Sequence, residues 1–247
     1  MSDWYEIRAA AESAEVYIYE QIGEDLQGEG IGARRFVEEL ASLQVPRLDL
    51  HINSPGGNVF DGQAIHNALR RHPATVTSYI DGVAASIASV VALAGDRVVM
   101  AGNALFMVHD PFALTIGAAA DHRKTADMLD QVAQTIRRIY VAKTGADEAD
   151  IAAAMAAETW YSAEEAAAAG FVDEVTEPLR LAAQMRWDWR ALGYRRAPVM
   201  PSDMRSTEDD TSTADSVAET EPAPAAEAAP ASELVLAGRR LFRFRKR

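Results

Sequence analysis

The 247-residue chain has no cysteine. Disulfides, thiolate-bound zinc and a cysteine nucleophile are thereby excluded, and the redox compartment cannot be read from thiols. No run of about 18 apolar residues occurs, and the opening MSDWYEIRAAAESAEVYIYEQIG lacks the basic segment and apolar core of a secretory signal. The expectation is a cytoplasmic protein that does not enter a membrane. Basic charge is also scarce. Against 37 Asp and Glu stand 24 Lys and Arg, a net charge of −13 at pH 7, which argues against a general nucleic-acid binder. What is present, 49% hydrophobic and 25% charged residues, suffices for one sizeable core and an appended tail. No internal repeat is evident.

The acidic charge is unevenly spread. Residues 201–232, PSDMRSTEDDTSTADSVAETEPAPAAEAAPAS, hold eight acids, one Arg, four Pro and no aromatic residue. Such a composition buries too little apolar surface to order itself and predicts a disordered linker. In the following ELVLAGRRLFRFRKR, residues 233–247, six of the last nine residues are basic and two are Phe. This end is either a solvated terminus or a short binding peptide for an acidic protein surface, nucleic acid or membrane. The organisation expected is an N-terminal extension over 1–13, a folded domain over 14–178, a connecting segment over 179–200, the linker and the basic peptide.

Within 14–178 the hydrophobic period alternates between two and 3.6 residues. EVYIY and LDLHIN alternate as strands, and ARRFVEELASL places Phe36, Val37, Leu40 and Leu43 on one helical face. DGQAIHNALRRH predicts a helix with Ala64, Ile65, Ala68 and Leu69 inward. ATVTSYI predicts a strand, SIASVVALAG a short buried helix closed by Gly95, and DRVVM and ALFMVH two more strands. Repeated βα units favour a parallel sheet covered by helices. From Thr125 to Lys143, Thr125, Leu129, Val132, Ile136 and Ile139 form a narrow seam, suited to packing on another chain. In SAEEAAAAG, Ser162 and Glu165 are spaced for a capping box and Gly170 for a C-cap.

Two stretches suggest chemistry. In HINSPGGNVFDG a strand runs into Ser-Pro-Gly-Gly, where the paired Gly56 and Gly57 let the main chain turn and approach a ligand with N–H groups exposed. In YIDGVAASIASVVALAGD, Ser86 stands among small residues at a strand-to-helix junction, where helix N–H groups are unpaired. Either stretch alone is compatible with a plain turn or close packing; together they suggest a nucleophile and an oxyanion hole. A nucleophilic serine needs a base. Of the histidines at 51, 66, 72, 109 and 122, His109 alone ends an apolar strand and precedes Asp-Pro, which exposes its imidazole at the carboxyl edge where parallel sheets form sites.

INSPGG, GVAAS, MVHDP and ETWYSAEEAAAAGFVDEV, in this order, resemble the ClpP-type serine peptidases, in particular the ClpP-related head maturation proteases of phages and prophages. The likeness spans about residues 14–178. It implies an α/β fold, the ClpP/crotonase-like superhelix of ββα units with a protruding interface helix, here followed by the disordered C-terminal tail. It also implies a homo-oligomeric ring, often heptameric and stacked, with the helix around 121–143 as the protruding element.

Carried over residue by residue, the resemblance makes Ser86 the nucleophile, His109 the general base, and the amides of Gly57 and Ile87 the oxyanion hole. Asn58, Val59 and Phe60 and Pro111, Phe112 and Ala113 correspond to edges that hold an extended peptide by main-chain hydrogen bonds. One position departs from the family pattern: Glu158, ahead of TWYSA, stands where the family usually has Asp. A Glu can orient an imidazole if the backbone sits slightly further back; the alternative is a solvated acid near a helix end. Asp110, next to His109, points to the opposite strand face and is a weaker candidate.

The implied activity is serine-type endopeptidase chemistry through an acyl-enzyme, in capsid (prohead) maturation. The competing readings are the proteolytic subunit of an ATP-dependent Clp protease working with an AAA+ unfoldase, and a catalytically silent assembly scaffold touching capsid proteins. A Ser–Lys protease is disfavoured because Lys124 and Lys143 fall on the predicted interface helix and Lys246 in the tail. An enoyl-CoA hydratase relative would have no need of a Ser86–His109 pair. No metal or organic cofactor is implied.

Overall fold

Residues 4–23, 32–179 and 187–198 are described by the structure, a computed structural model. The linker and basic peptide expected at 201–232 and 233–247 lie outside these residues. The strands, in chain order, are β1 (Tyr5–Ala9), β2 (Ala14–Ile18), β3 (Arg47–Ser54), β4 (Thr75–Ala85), β5 (Arg97–Ala101), β6 (Leu105–Val108), β7 (Thr159–Tyr161) and β8 (Glu174–Thr176). The helices are α1 (Ala33–Ser42), α2 (Val59–Arg71), α3 (Ile87–Ala92), α4 (Ala119–Thr144), α5 (Glu148–Ala156) and α6 (Ala163–Ala168). One sheet runs β1-β2-β3-β4-β5-β8, with β6 paired to β4 and β7 to β6. Strands β2, β3, β4, β5 and β8 are mutually parallel, as repeated βα units require.

The alternation in sequence becomes the division of the sheet into faces. Val16, Ile18, Leu48, Leu50, Ile52, Val76 and Ile80 point into the core, at every second residue of their strands. Helix α1 covers them with Phe36 and Leu40, each worth about 1.5–3 kcal/mol when removed from water. Its outer face carries the i,i+4 pairs Arg34–Glu38 and Arg35–Glu39. In α2, Ile65, Ala68 and Leu69 are buried as expected, but Ala64 is exposed and Gly62 is buried in its place. Gly62 lies against Ile87, where a β-carbon would collide. The helix is rotated by this close approach to α3.

Two expectations change. The strand expected to open the fold near Glu15 is the second; Tyr5–Ala9, within the anticipated 1–13 extension, pairs antiparallel with it. The seam on α4 does not all face outward. Val132 and Ile136 are buried in the protomer's own core together with Ala133 and Tyr140, and Tyr140 hydrogen-bonds Ser89 of α3 at 2.7 Å. A narrow stripe cannot by itself say which body it packs on; here the C-terminal half of α4 belongs to the domain.

Strand β4 positions the site. Its first part pairs with β3 and β5, and then its end leaves β5 to pair with β6, Ala85 opposite Met107. The carboxyl ends of β4 and β6 are therefore adjacent. Ser86 follows the first and His109 the second.

Candidate active site

Ser86 is the turn between β4 and α3, with φ 56° and ψ −129°. A non-glycine residue there is strained, as in the sharp strand-to-helix elbow that lifts a nucleophile out of a sheet. Its amide is tied to the carbonyl of Met107 at 3.1 Å, which locks the elbow onto β6. The Ser86 Oγ then lies 2.7 Å from Nε2 of His109. Burial lowers the pKa of His109 to about 4, against an opposing pull from the Glu158 charge. The imidazole is therefore neutral at pH 7 and can accept the serine proton.

The Ser-Pro-Gly-Gly turn comes up beside this pair. A β-carbon on Gly56 would stand 2.7 Å from that of Ser86, and one on Gly57, at φ 144°, would strike the carbonyl of Ile22. Only glycine permits this approach. Ile22 and the turn are stitched together by Ile22 N–H to Gly56 O at 2.7 Å and Asn58 N–H to Ile22 O at 2.9 Å. The amides of Gly57 and Ile87 have no acceptor among the described residues. They remain available to an oxyanion.

A cleft of about 560 Å³ runs over Ser86 and His109. Asn58, Val59 and Phe60 border one part of it and Pro111, Phe112 and Ala113 another, while Val90, Leu129, Val132 and Ile136 supply an apolar floor. Asn58 is also the N-cap of α2, its side chain accepting from Phe60 and Asp61 N–H. Among the described residues no cluster of three or more His, Asp or Glu side chains is grouped to hold a metal ion.

Glu158 borders a second cavity with His109, but no hydrogen bond joins them. Its carboxylate accepts the main-chain N–H of Arg195 at 2.8 Å and of Arg196 at 2.7 Å, and the Trp160 indole N–H at 3.3 Å. Burial alone would raise its pKa; these bonds and the facing His109 outweigh it and hold the acid below its usual range. Asp110 is exposed and sits outside the pair, its amide bonded to Met155 O at 3.2 Å.

Tyr194 escapes sequence reasoning altogether. Its ring lies 5.3 Å from that of His109, and its hydroxyl donates to the Pro55 carbonyl. It belongs to a connecting segment without period or motif. The available signal was composition, since Trp187, Trp189 and Tyr194 gather three aromatics directly before an acidic stretch that has none.

Comparison with known proteins finds relatives of the chain. The chain is 38% identical over 160 residues to the ATP-dependent Clp protease proteolytic subunit 3 of Streptomyces coelicolor, covering 62% of this chain and 73% of that protein. It is 37% identical over 145 residues to proteolytic subunit 1 of Streptomyces avermitilis, covering 57% and 66%. A solved ClpP1 point mutant from Listeria monocytogenes superimposes with TM-score 0.58 at 25% identity, over 66% of this chain and 91% of that one. The family model described as Clp protease matches residues 2–178, taking in β1 as well as the strands that follow. With that match over most of its length, the chain belongs to the Clp protease family and is a serine-type endopeptidase with the ClpP-like α/β fold.

Proposed function

We propose that Ser86 attacks the peptide carbonyl while His109 Nε2 takes its proton. The carbonyl oxygen gains negative charge as the new C–O bond forms, and the N–H groups of Gly57 and Ile87 face it. His109 then passes the proton to the leaving amine, and water hydrolyses the acyl-enzyme by the same route in reverse. Glu158 supplies negative charge near the imidazolium. The extended substrate lies along Pro111–Ala113 and Asn58–Phe60. The observation that carries this reading is the 2.7 Å Ser86–His109 hydrogen bond at a strained elbow beside two uncommitted amides.

The working form is a homo-oligomeric ring. Leu114, Ile116 and Met128, on the loop before α4 and on its first turns, are 78%, 92% and 39% exposed. Apolar groups so exposed together favour burial against another copy. The setting is capsid (prohead) maturation in a phage or prophage, with the acidic linker and basic end touching capsid or scaffold proteins; these features of the tail support it. The rival setting, ATP-dependent turnover in the cytoplasm with an AAA+ unfoldase, is favoured by the names of the Streptomyces relatives. A silent scaffold is disfavoured by the intact Ser86–His109 pair.

Reading the genes that flank this one, and incubating the protein with any capsid and scaffold proteins they encode, distinguishes the two settings. Limited cleavage without ATP is expected; degradation only with ATP and a co-encoded unfoldase would overturn the capsid setting.

A further inference from the structure

One wall of the cleft is the chain's own segment Trp187–Ala197, of which Ala191, Leu192, Gly193 and Tyr194 line it. Trp189 and Tyr194 are buried against Val83, Ala85 and Met107, and Trp189 meets Trp160 edge-on with centroids 5.2 Å apart. Gly193, at φ 87°, lies close to Phe112 of the 111–113 edge, a β-carbon there falling 2.9 Å from the Phe112 ring. Tyr194 then crosses to the other side, where its hydroxyl donates to Pro55 in the glycine turn. Arg195 and Arg196 continue to Glu158, and the Arg196 guanidinium also donates to the Ala157 carbonyl at 2.8 Å. The segment thus bridges both borders of the cleft with its aromatic side chain over the reacting pair.

From this placement we propose that Trp187–Ala197 is an autoinhibitory strap, which an extended peptide must displace before it can reach Ser86. The inference rests on the catalytic reading of Ser86 and His109. The strap engages the chemical groups around Ser86. Tyr194 packs on His109 with ring centroids 5.3 Å apart. The Glu158 carboxylate is taken by two main-chain N–H groups and an indole, so it is held away from His109 Nδ1. The Tyr194 ring stands against one side of the imidazole, which remains partly exposed. When the strap leaves, Glu158 loses two of these donors and becomes free to turn to Nδ1, so that clearing the cleft and completing the triad are one event.

Three full-length variants test this against the parent chain. Tyr194→Ala removes the plug, and Arg195→Pro and Arg196→Pro each delete one N–H that binds Glu158. Two probes are used: phenylmethylsulfonyl fluoride, small enough to reach Ser86 beside the strap, and a peptidyl fluorophosphonate of several residues, which needs the whole cleft. Circular dichroism and light scattering establish that each variant is folded and assembled as the parent is, and Ser86→Ala defines labelling at other serines. The expected result is a rise of about tenfold or more in the rate of Ser86 labelling by the peptidyl probe for Tyr194→Ala and for at least one proline variant. The small reagent gains less, a split that loosening of the structure alone would not produce. Equal or slower peptidyl labelling of Ser86 in the folded variants overturns the strap and leaves the Ser86 assignment standing. Failure of Ser86 to react in parent and variants alike, with labelling unchanged by Ser86→Ala, overturns the catalytic reading and the strap with it.

Discussion

Replacing Ser86 by glycine should leave the protein more stable than replacing it by alanine, and neither variant should hydrolyse peptides. Both substitutions remove the hydroxyl, so the lost bond to His109 is common to both and cancels in the comparison. What differs is the backbone at φ 56°, ψ −129°. Alanine keeps the β-carbon and the strain, on the order of 1–3 kcal/mol for such a conformation. Glycine relieves it but gains freedom in the unfolded chain worth about 0.5–1 kcal/mol. The net is about 1 kcal/mol in favour of Ser86→Gly, or about 2–4 °C in Tm for a domain of this size. Thermal melts of both variants at one pH and one protomer concentration, since assembly would shift Tm by mass action, provide the assay. An alanine variant as stable as the glycine variant would refute the claim that the elbow is strained.

The depressed pKa of His109 fixes two pH effects. Its native value of about 4 lies below the ordinary 6.5, so the unfolded chain binds more protons between them; the His109 contribution is fully present above pH 6.5 and is lost as pH falls towards 4, which denaturant melts from pH 7 to 4 on parent and His109→Gln would show. The acid limb of kcat/KM should likewise fall near pH 4 rather than 6.5. Glu158→Gln removes the charge that favours imidazolium and should lower turnover by about two orders of magnitude or more, with the acid limb moved to still lower pH; an unchanged profile would take Glu158 out of the chemistry. Ile116→Asp, at a side chain 92% exposed, should split the assembly in size-exclusion chromatography with light scattering without altering the protomer's circular dichroism, whereas Ile136→Ala should cost about 2–5 kcal/mol of stability as a core truncation.

Sequence periodicity revealed most of the strand and helix order because each element buries one face, and Val16, Leu50 and Phe36 do in the structure what their spacing requires. Ser86 and His109 were legible because their surroundings are backbone devices: two glycines that only a close approach requires, and an apolar strand stopped by Asp-Pro. Where a contact depends on how two elements meet, the pattern was silent. Ala64 was expected inward on helical spacing, yet the approach of Gly62 to Ile87 turns it out. The α4 seam was expected to meet another chain, yet Val132 and Ile136 meet the protomer's own core. Glu158 is legible as an acid ahead of TWYSA, but its commitment to the amides of Arg195 and Arg196 is not, since main-chain donors carry no side-chain signature. Tyr194 lay hidden for the same reason that loops in general do: its position follows from tertiary packing against Trp160 and Trp189.

The central claim, that Ser86 is the nucleophile activated by neutral His109, is tested most directly by mapping covalent modification. The assembled full-length protein is treated with a serine-directed fluorophosphonate at pH 7 and the adduct located by peptide mass spectrometry. One modified residue is expected, Ser86, with the adduct lost in Ser86→Ala and suppressed by about a hundredfold or more in His109→Ala. An adduct on another serine that persists undiminished in Ser86→Ala would contradict it.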